Sequence, residues 1–223
     1  METNENNTLH AAFKSAAKHH LKKGDIIKIE NHKIFFVLID SGYIKRYLIT
    51  DEGNQSIQAI FGPKTTFPLT PVYSALLDLT IYEGDEVTYY ESMTDSIVHS
   101  LTKNQLQNLA DSDPTIYKEL FHSAGVRLKS NIQRLENMSL RSVDKRVADA
   151  LLHYARNFGK QRSGGEVVID LPMTHQTIAN NLTIARETVS LVLGRLVDQN
   201  IIELLPKFHI LIHDMQALKN SRS

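Results

Sequence analysis

The chain has 223 residues, no cysteine and no tryptophan, and 25 Lys and Arg balance 25 Asp and Glu to zero formal net charge. With 42% hydrophobic and 22% charged residues, it has the composition of a globular protein of one large or two small domains, which excludes disordered, collagenous and disulfide-stapled classes. Zero cysteines also exclude Fe–S clusters, thiolate zinc and cysteine nucleophiles.

The zero charge is a cancellation. Residues 1–138 hold 14 basic against 17 acidic side chains, a net of −3, and residues 139–223 hold 11 against 8, a net of +3. Asymmetry of this kind points to two domains with different partners. No apolar run approaches the roughly 20 residues of a membrane helix. The first residues, Met-Glu-Thr-Asn-Glu-Asn-Asn, lack the basic and apolar regions of a signal peptide. A cytoplasmic protein with no membrane partner is expected.

Residues 1–7 are polar and read as a frayed end. A short helix is expected over Leu9–Lys18, then a turn at Lys23-Gly24-Asp25. β-branched and aromatic runs follow at Ile26–Ile29, Ile34–Ile39, Tyr43–Ile49 and Ser56–Ile60, divided by turns at Asp40–Gly42 and Asp51–Gly53. Further strands are expected at Leu77–Tyr82, Glu86–Tyr90 and Ser96–Leu101, with a turn at Glu83-Gly84-Asp85. Short, evenly spaced strands of this type suggest an antiparallel barrel or roll.

The period changes after Thr102. Lys103–Ala110 reads as a short helix, and Asp113-Pro114 opens a long one. Tyr117, Phe121, Ala124, Leu128, Asn131, Leu135 and Met138 recur at alternating spacings of 4 and 3, a heptad seam whose single Asn favours a two-stranded pairing. A dimer helix is expected, ahead of a stripe packed on the chain's own core. Ser139–Asp144 reads as a hinge, and Ser142 or Asp144 caps a helix that runs to Phe158 on Val147, Ala150, Leu151 and Tyr154. Gly159–Gly165 reads as a loop and Val167–Leu171 as a strand.

Residues 174–198 carry the functional pattern. Ile178, Ala179 and Leu182 share one face of a first helix; Val189, Val192, Leu193 and Leu196 share one face of a second. Thr183-Ile184-Ala185 separates them, as in a helix-turn-helix. Ile201–Leu205 and His209–Ile212, joined by Pro206-Lys207-Phe208, make a hairpin, hence a winged variant. Arg186, Glu187, Ser190, Leu191 and Gly194 lie on the outer face of the second helix. Arg bonds guanine O6 and N7, and Glu accepts from cytosine N4, so Arg186 and Glu187 are base-reading candidates. Double-stranded DNA is the expected partner.

In Arg186-Glu-Thr-Val and Leu196-Val-Asp-Gln-Asn-Ile-Ile202 the sequence resembles the Crp/Fnr superfamily, and the order of elements matches along nearly the whole chain. The resemblance implies an α+β fold over three segments. These are an N-terminal antiparallel β-roll of the cyclic-nucleotide-binding type (1–112), a long dimerisation helix (113–138) and a C-terminal winged helix-turn-helix (139–223). It implies a bacterial homodimer on a pseudo-palindromic site, and RNA polymerase as a further candidate partner. Arg186 and Glu187 fall on the family's base-reading positions, and Ser190 matches the serine of the Fnr-like branch. Thr174, His175 and Gln176 fall where the first helix meets phosphates. Arg195, Lys207, Arg141, Lys145 and Arg146 are further phosphate candidates. Leu191 replaces a reading arginine, and it can touch only a thymine methyl. Thr183 stands at the turn glycine, where a β-branched residue is costly at positive φ, so a reshaped turn is expected.

Ile60-Phe-Gly-Pro63 and Phe67 resemble the approach to the phosphate cassette, but Pro68-Leu69 stands for Gly-Glu and Glu86-Val87 for Arg-Ser. No Arg or Lys occurs from Thr65 to Thr102, whereas a cyclic phosphate needs a cation or several free amides. No cofactor is therefore expected: no Fe–S cluster and no cyclic AMP bound in the family's manner. A haem or another small-molecule effector stays open as the alternative reading. Among ten histidines, His19, His20, His32, His99 and His122 lie in the sensor half without metal-ligand spacing. A metal-dependent roll enzyme is the remote alternative, and no catalytic or metal-binding residue is expected.

Overall fold

The computed structural model describes residues 8–30, 33–77, 87–140 and 142–221, with the backbone alone for 137–140. Outside these fall His32, Arg141, the side chain of Met138, the expected turn at 83–85, Glu86, and all but Leu77 of the strand expected over 77–82. The chain divides into two compact units: Met1–Ile49 with Gln58–Ser130, and Thr50–Ile57 with Asn131–Ser223.

The first unit opens with α1 (Thr8–Ala12), whose first-turn Thr8 and Leu9 amides donate to the Glu119 carboxylate at 3.0 and 2.8 Å. A single 3-10 turn follows over Phe13–Ser15. The helix expected to Lys18 ends early because Ala17–Leu21 forms strand β1, paired antiparallel with Ser96–Leu101. β2 (Ile26–Ile27) keeps only two of its four expected residues. β3 (Phe36–Ser41) starts two residues late, and a bulge carries it through Asp40-Ser41, the first part of the expected turn. Gly42 does turn: its φ is +86°, and a Cβ there would sit 2.1 Å from Ser96 Oγ, so no larger residue fits. β4 (Ile44–Ile49) and β5 (Gln55–Phe61) follow the expected runs closely.

Two more elements of this unit lie outside the sequence reading, β6 (Thr66–Phe67) and α2 (Thr70–Leu76), the second opened by Pro71 in its first turn. β7 spans Tyr89–Ser92, three residues later than expected at its start, and β8 spans Ser96–Leu101. The strands form two four-stranded sheets, in the orders β1-β8-β3-β6 and β2-β7-β4-β5. Both sheets feed one core of Ile27, Val37, Ile39, Ile44, Phe61, Phe67, Tyr90 and Val98.

Thr102 and Gln105 form a reciprocal capping box at the start of α3 (Lys103–Ser112), which satisfies two orphan amides at once. α4 runs over Thr115–Leu140. The Asp113 carboxylate accepts from the Thr115 hydroxyl (2.7 Å) and amide (2.9 Å), and these two donors hold its pKa below the usual range. Ile116 and Leu120 face inward onto a second core cluster with Leu9, Phe13, Phe36, Val72 and Leu106. Phe121, Leu128 and Leu135 are 79%, 61% and 64% exposed; Asn131 is exposed, and Tyr117 and Ala124 are half-buried. Of the break expected over 139–144, Ser139 and Leu140 are helical in α4 and Val143 and Asp144 in the next helix.

In the second unit Ser142 caps α5 (Val143–Phe158), which buries Val147, Leu151, Leu152 and Tyr154. The expected loop over 159–165 contains a strand, β9 (Gly159–Gln161), paired with β10 (Val167–Ile169). α6 (His175–Leu182) and α7 (Arg186–Asp198) are followed by β11 (Ile202–Leu205) and β12 (His209–Ile212). The wing sheet has the order β11-β12-β10-β9. A last helix, α8 (Met215–Asn220), is capped by Asp214 and was not expected. Among the described residues no helix is long and apolar enough to cross a membrane, and no group of three His, Cys, Asp or Glu is placed to hold a metal ion.

Candidate nucleic-acid interface

Thr174 starts α6 from an extended conformation, and its hydroxyl accepts from the Thr177 amide at 3.0 Å. This satisfies one orphan donor of the first turn. Ile178 and Ala179 are buried to within 1%, so helices α6 and α7 cross over a small residue. Thr183 takes the left-handed conformation, φ 54° and ψ 55°, so the turn keeps a glycine-type backbone instead of being reshaped. The turn is held on both sides: the Ile184 amide donates to Ala179 O at 3.2 Å, and the Arg146 guanidinium donates to Leu182 O. Arg146 thus neutralises the carbonyl end of α6.

α7 buries Val189, Val192, Leu193 and Leu196 against this frame. Its first turn carries Arg186 and Glu187, both exposed, and Leu191 is 66% exposed one turn on. Glu187 lies at the positive end of the helix dipole. Among the described residues neither the Arg186 nor the Glu187 side chain makes a hydrogen bond or ion pair. A Cβ at Gly194 would meet nothing within 4 Å, so that glycine has no packing function.

Ser190 links the two helices. Its hydroxyl donates to Arg186 O at 3.0 Å and lies 2.7 Å from His175 Nδ1. The one hydroxyl proton is used on the carbonyl, so His175 Nδ1–H is the donor in the second bond. That fixes the proton on Nδ1 and leaves Nε2 as the ring's second polar atom. Gln176 is exposed and bonded to Asn180 at 2.6 Å. Arg195 is paired with Asp144. Lys207 is exposed at the wing turn with φ 60°, and Lys145 is half-buried at the start of α5.

The structure brings Thr174, His175, Ser190 and the Arg186 backbone together directly. The wing turn is joined to the same place through Met173, whose amide donates to Phe208 O at 2.7 Å. Sequence reasoning missed a further knot. Asn181 Oδ1 accepts from the buried Tyr154 hydroxyl at 2.7 Å, and Asn181 O accepts from Arg134 at 2.8 Å. Both Arg134 and Asn181 Nδ2 donate to Ile57 O, at 3.0 and 3.2 Å. Burial pushes the Tyr154 hydroxyl pKa up. The apolar stripe of α5 accounts for the Tyr154 ring but not for its hydroxyl, the one sequence signal of this contact. Among the described residues the sensor-half histidines do not converge: His19 bonds Ser100 Oγ at 2.8 Å, His99 Nδ1 is buried without a hydrogen-bond partner, and His122 is exposed.

Residues 145–221 match the family model described as the Crp-like helix-turn-helix domain, the segment that holds both helices, the wing and α8. That segment is a Crp-like helix-turn-helix domain. The chain is 25% identical over 186 residues to the electron transport regulator A of Shewanella oneidensis, covering 81% of its own length and 69% of the relative. Its fold is similar to that of FixK2 from Bradyrhizobium japonicum, with a TM-score of 0.75, 21% identity, and 93% and 98% of the two chains covered. It is also similar to a CRP/FNR-family transcriptional regulator from Thermus thermophilus, with a TM-score of 0.69, 24% identity, and 93% and 100% covered. The chain thus carries the helix-turn-helix of a Crp/Fnr-type DNA-binding transcription regulator.

Proposed function

We propose that the protein is a homodimeric, sequence-specific regulator that reads DNA with α7 and acts in the bacterial cytoplasm. The observation that carries this reading is the first turn of α7. Arg186 and Glu187 are exposed there without protein partners among the described residues, on a helix whose opposite face is locked into the domain. Arg186 reads guanine and Glu187 reads cytosine, Ser190 and Leu191 modulate the reading, and Gly194 lets the helix lie close to the groove floor. Thr174, His175, Gln176, Arg195, Lys207 and Lys145 hold phosphates.

The exposed apolar stripe of α4, led by Phe121, Leu128 and Leu135, supports a seam between two copies. A dimer of this kind sets two reading helices about 34 Å apart on a pseudo-palindromic site. The lack of any Arg or Lys from Thr65 to Thr102 supports a roll that does not hold cyclic AMP in the family's manner. RNA polymerase is the partner through which such a regulator acts on transcription.

Selection of bound sequences from random DNA tests the reading. The wild type enriches one half-site. Arg186→Ala loses about 1–3 kcal/mol of discrimination at one base pair, roughly 5- to 150-fold, while its thermal stability is unchanged. An Arg186→Ala protein with undiminished preference for the same site would refute the assignment.

A further inference from the structure

The wing turn is strained at two neighbouring residues. β11 and β12 stay paired as far as Leu205 and His209, so Pro206, Lys207 and Phe208 close the hairpin. Lys207 and Phe208 both take positive φ, 60° and 64°, the only adjacent pair of non-glycine residues to do so among the described residues. That conformation is costly for any residue with a Cβ, and hairpin loops of this length usually place glycine there. The strain persists because the turn is fastened from below. The Met173 amide donates to Phe208 O at 2.7 Å, and Met173 itself is buried at 2% exposure, directly before the Thr174 cap of α6. Strained residues held in place by their surroundings cluster where a chain meets a ligand.

The turn presents an apolar ring beside a cation. Phe208 is 59% exposed, Leu204 in the strand below it is 44% exposed, and Lys207 is exposed between them in sequence. No carboxylate occurs from Leu204 to His209. A phenyl ring has no donor or acceptor, so it cannot read base edges by hydrogen bonding. It can press on the π-face of a base, a contact that every base offers, while a neighbouring lysine meets phosphate. The Met173 bond also makes the turn continuous with Thr174 and His175, the phosphate-holding start of α6. Cation, ring and position thus favour nucleic acid over a protein surface.

We propose that Phe208 is a wedge that enters the minor groove beside each half-site and partly unstacks one base step there; this rests on the reading of DNA by α7 in the major groove. Apolar side chains that enter the minor groove act by unstacking and kinking a step. Pyrimidine–purine steps, TA and CA/TG, yield most easily. Phe208 therefore adds a preference at base pairs that α7 does not touch, and it selects them by deformability instead of by hydrogen bonds. Lys207 anchors the wing on the adjoining phosphate. The fastened turn holds the ring ready, so little order has to be gained on binding.

The probe is the duplex that the full-length wild type enriches from random DNA, with 2-aminopurine placed at successive positions outward from each half-site. The expected result is a TA or CA/TG step enriched at the flank, where 2-aminopurine brightens on binding as its neighbour unstacks. Phe208→Ala lowers the preference for that step about fivefold or more, the low end for one base stacked on an aromatic ring, and abolishes the brightening. Its preference inside the half-site and its salt slope stay those of the wild type, because a phenyl ring releases no counter-ions. Phe208→Leu keeps part of both effects. Failure of the α7 reading is seen separately, as an Arg186→Ala protein whose preference inside the half-site is intact. Two results would overturn the wedge. One is a wild-type selection with no preference at any flanking step. The other is a Phe208→Ala protein with the flank preference and the 2-aminopurine signal of the wild type, which would leave the ring to a protein partner.

Discussion

Thr183 offers the sharpest test of the local geometry. It holds φ 54° and ψ 55° at the turn between α6 and α7, and a residue with a Cβ pays roughly 1–2 kcal/mol for that conformation. The turn cannot relax it away, because Ile184 N and Arg146 hold the carbonyls on the helix side. Its side chain is exposed, so removing it forfeits no buried contact. Thr183→Gly therefore recovers about 1–2 kcal/mol, less about 0.5–1 kcal/mol for the freer unfolded glycine. The net gain is about 0.5–1 kcal/mol, which raises the melting temperature by about 1–4 °C in a chain of this size. Differential scanning calorimetry measures it, with Thr183→Ala as the control that keeps the Cβ and gains little. A melting temperature for Thr183→Gly that is unchanged or lower, or a Thr183→Ala gain as large, would refute the strain argument.

Leu128→Lys places two like charges across the proposed α4 seam and should give a monomer by sedimentation velocity; an unaltered dimer removes the seam. Lys207→Ala should weaken binding to all sequences alike and flatten the plot of log affinity against log salt by about 1 per protomer; a loss confined to the preferred site would make Lys207 a reading residue. His10 supplies a pH prediction. Burial, helped by the Lys64 charge and opposed by Glu119, lowers its pKa below the ordinary 6.5. The unfolded chain then binds the proton first, so stability falls as pH drops through 6.5 toward the folded value. Urea midpoints at pH 8 and pH 5.5 should differ in that direction, and by less in His10→Gln; an equal pH dependence in the variant would remove His10 from the account.

The DNA-binding half was legible because its signals are local. Ile178, Ala179 and Leu182, then Val189, Val192, Leu193 and Leu196, repeat at helical spacing on two faces that must meet, and hardly any other packing suits them. β1 was hidden because Ala17-Lys18-His19-His20-Leu21 has no β-branched residue; its strand conformation comes from pairing with β8, a contact about 80 residues away in sequence. β6 has two residues and is formed only by β3 opposite it. The cation beside the Phe61 ring was out of reach for the same reason: Arg127 reaches it from α4, outside the span of residues 65–102. Arg146 shows the reverse case. Its charge suggested a phosphate contact, and the fold brings it to the carbonyl end of α6.

The Ser190 hydroxyl holds the Arg186 carbonyl on one side and His175 on the other. A change at position 190 is therefore never a change of recognition letter alone. Ser190→Ala would free the imidazole of α6 to rotate and would unfasten the first turn that carries Arg186. Altered sequence preference and altered backbone grip should then appear together, so the effects of substitutions at 175, 186 and 190 will be non-additive. A lineage exploring new half-sites through position 190 would have to change two other residues with it, or leave that position alone and vary the unencumbered Leu191.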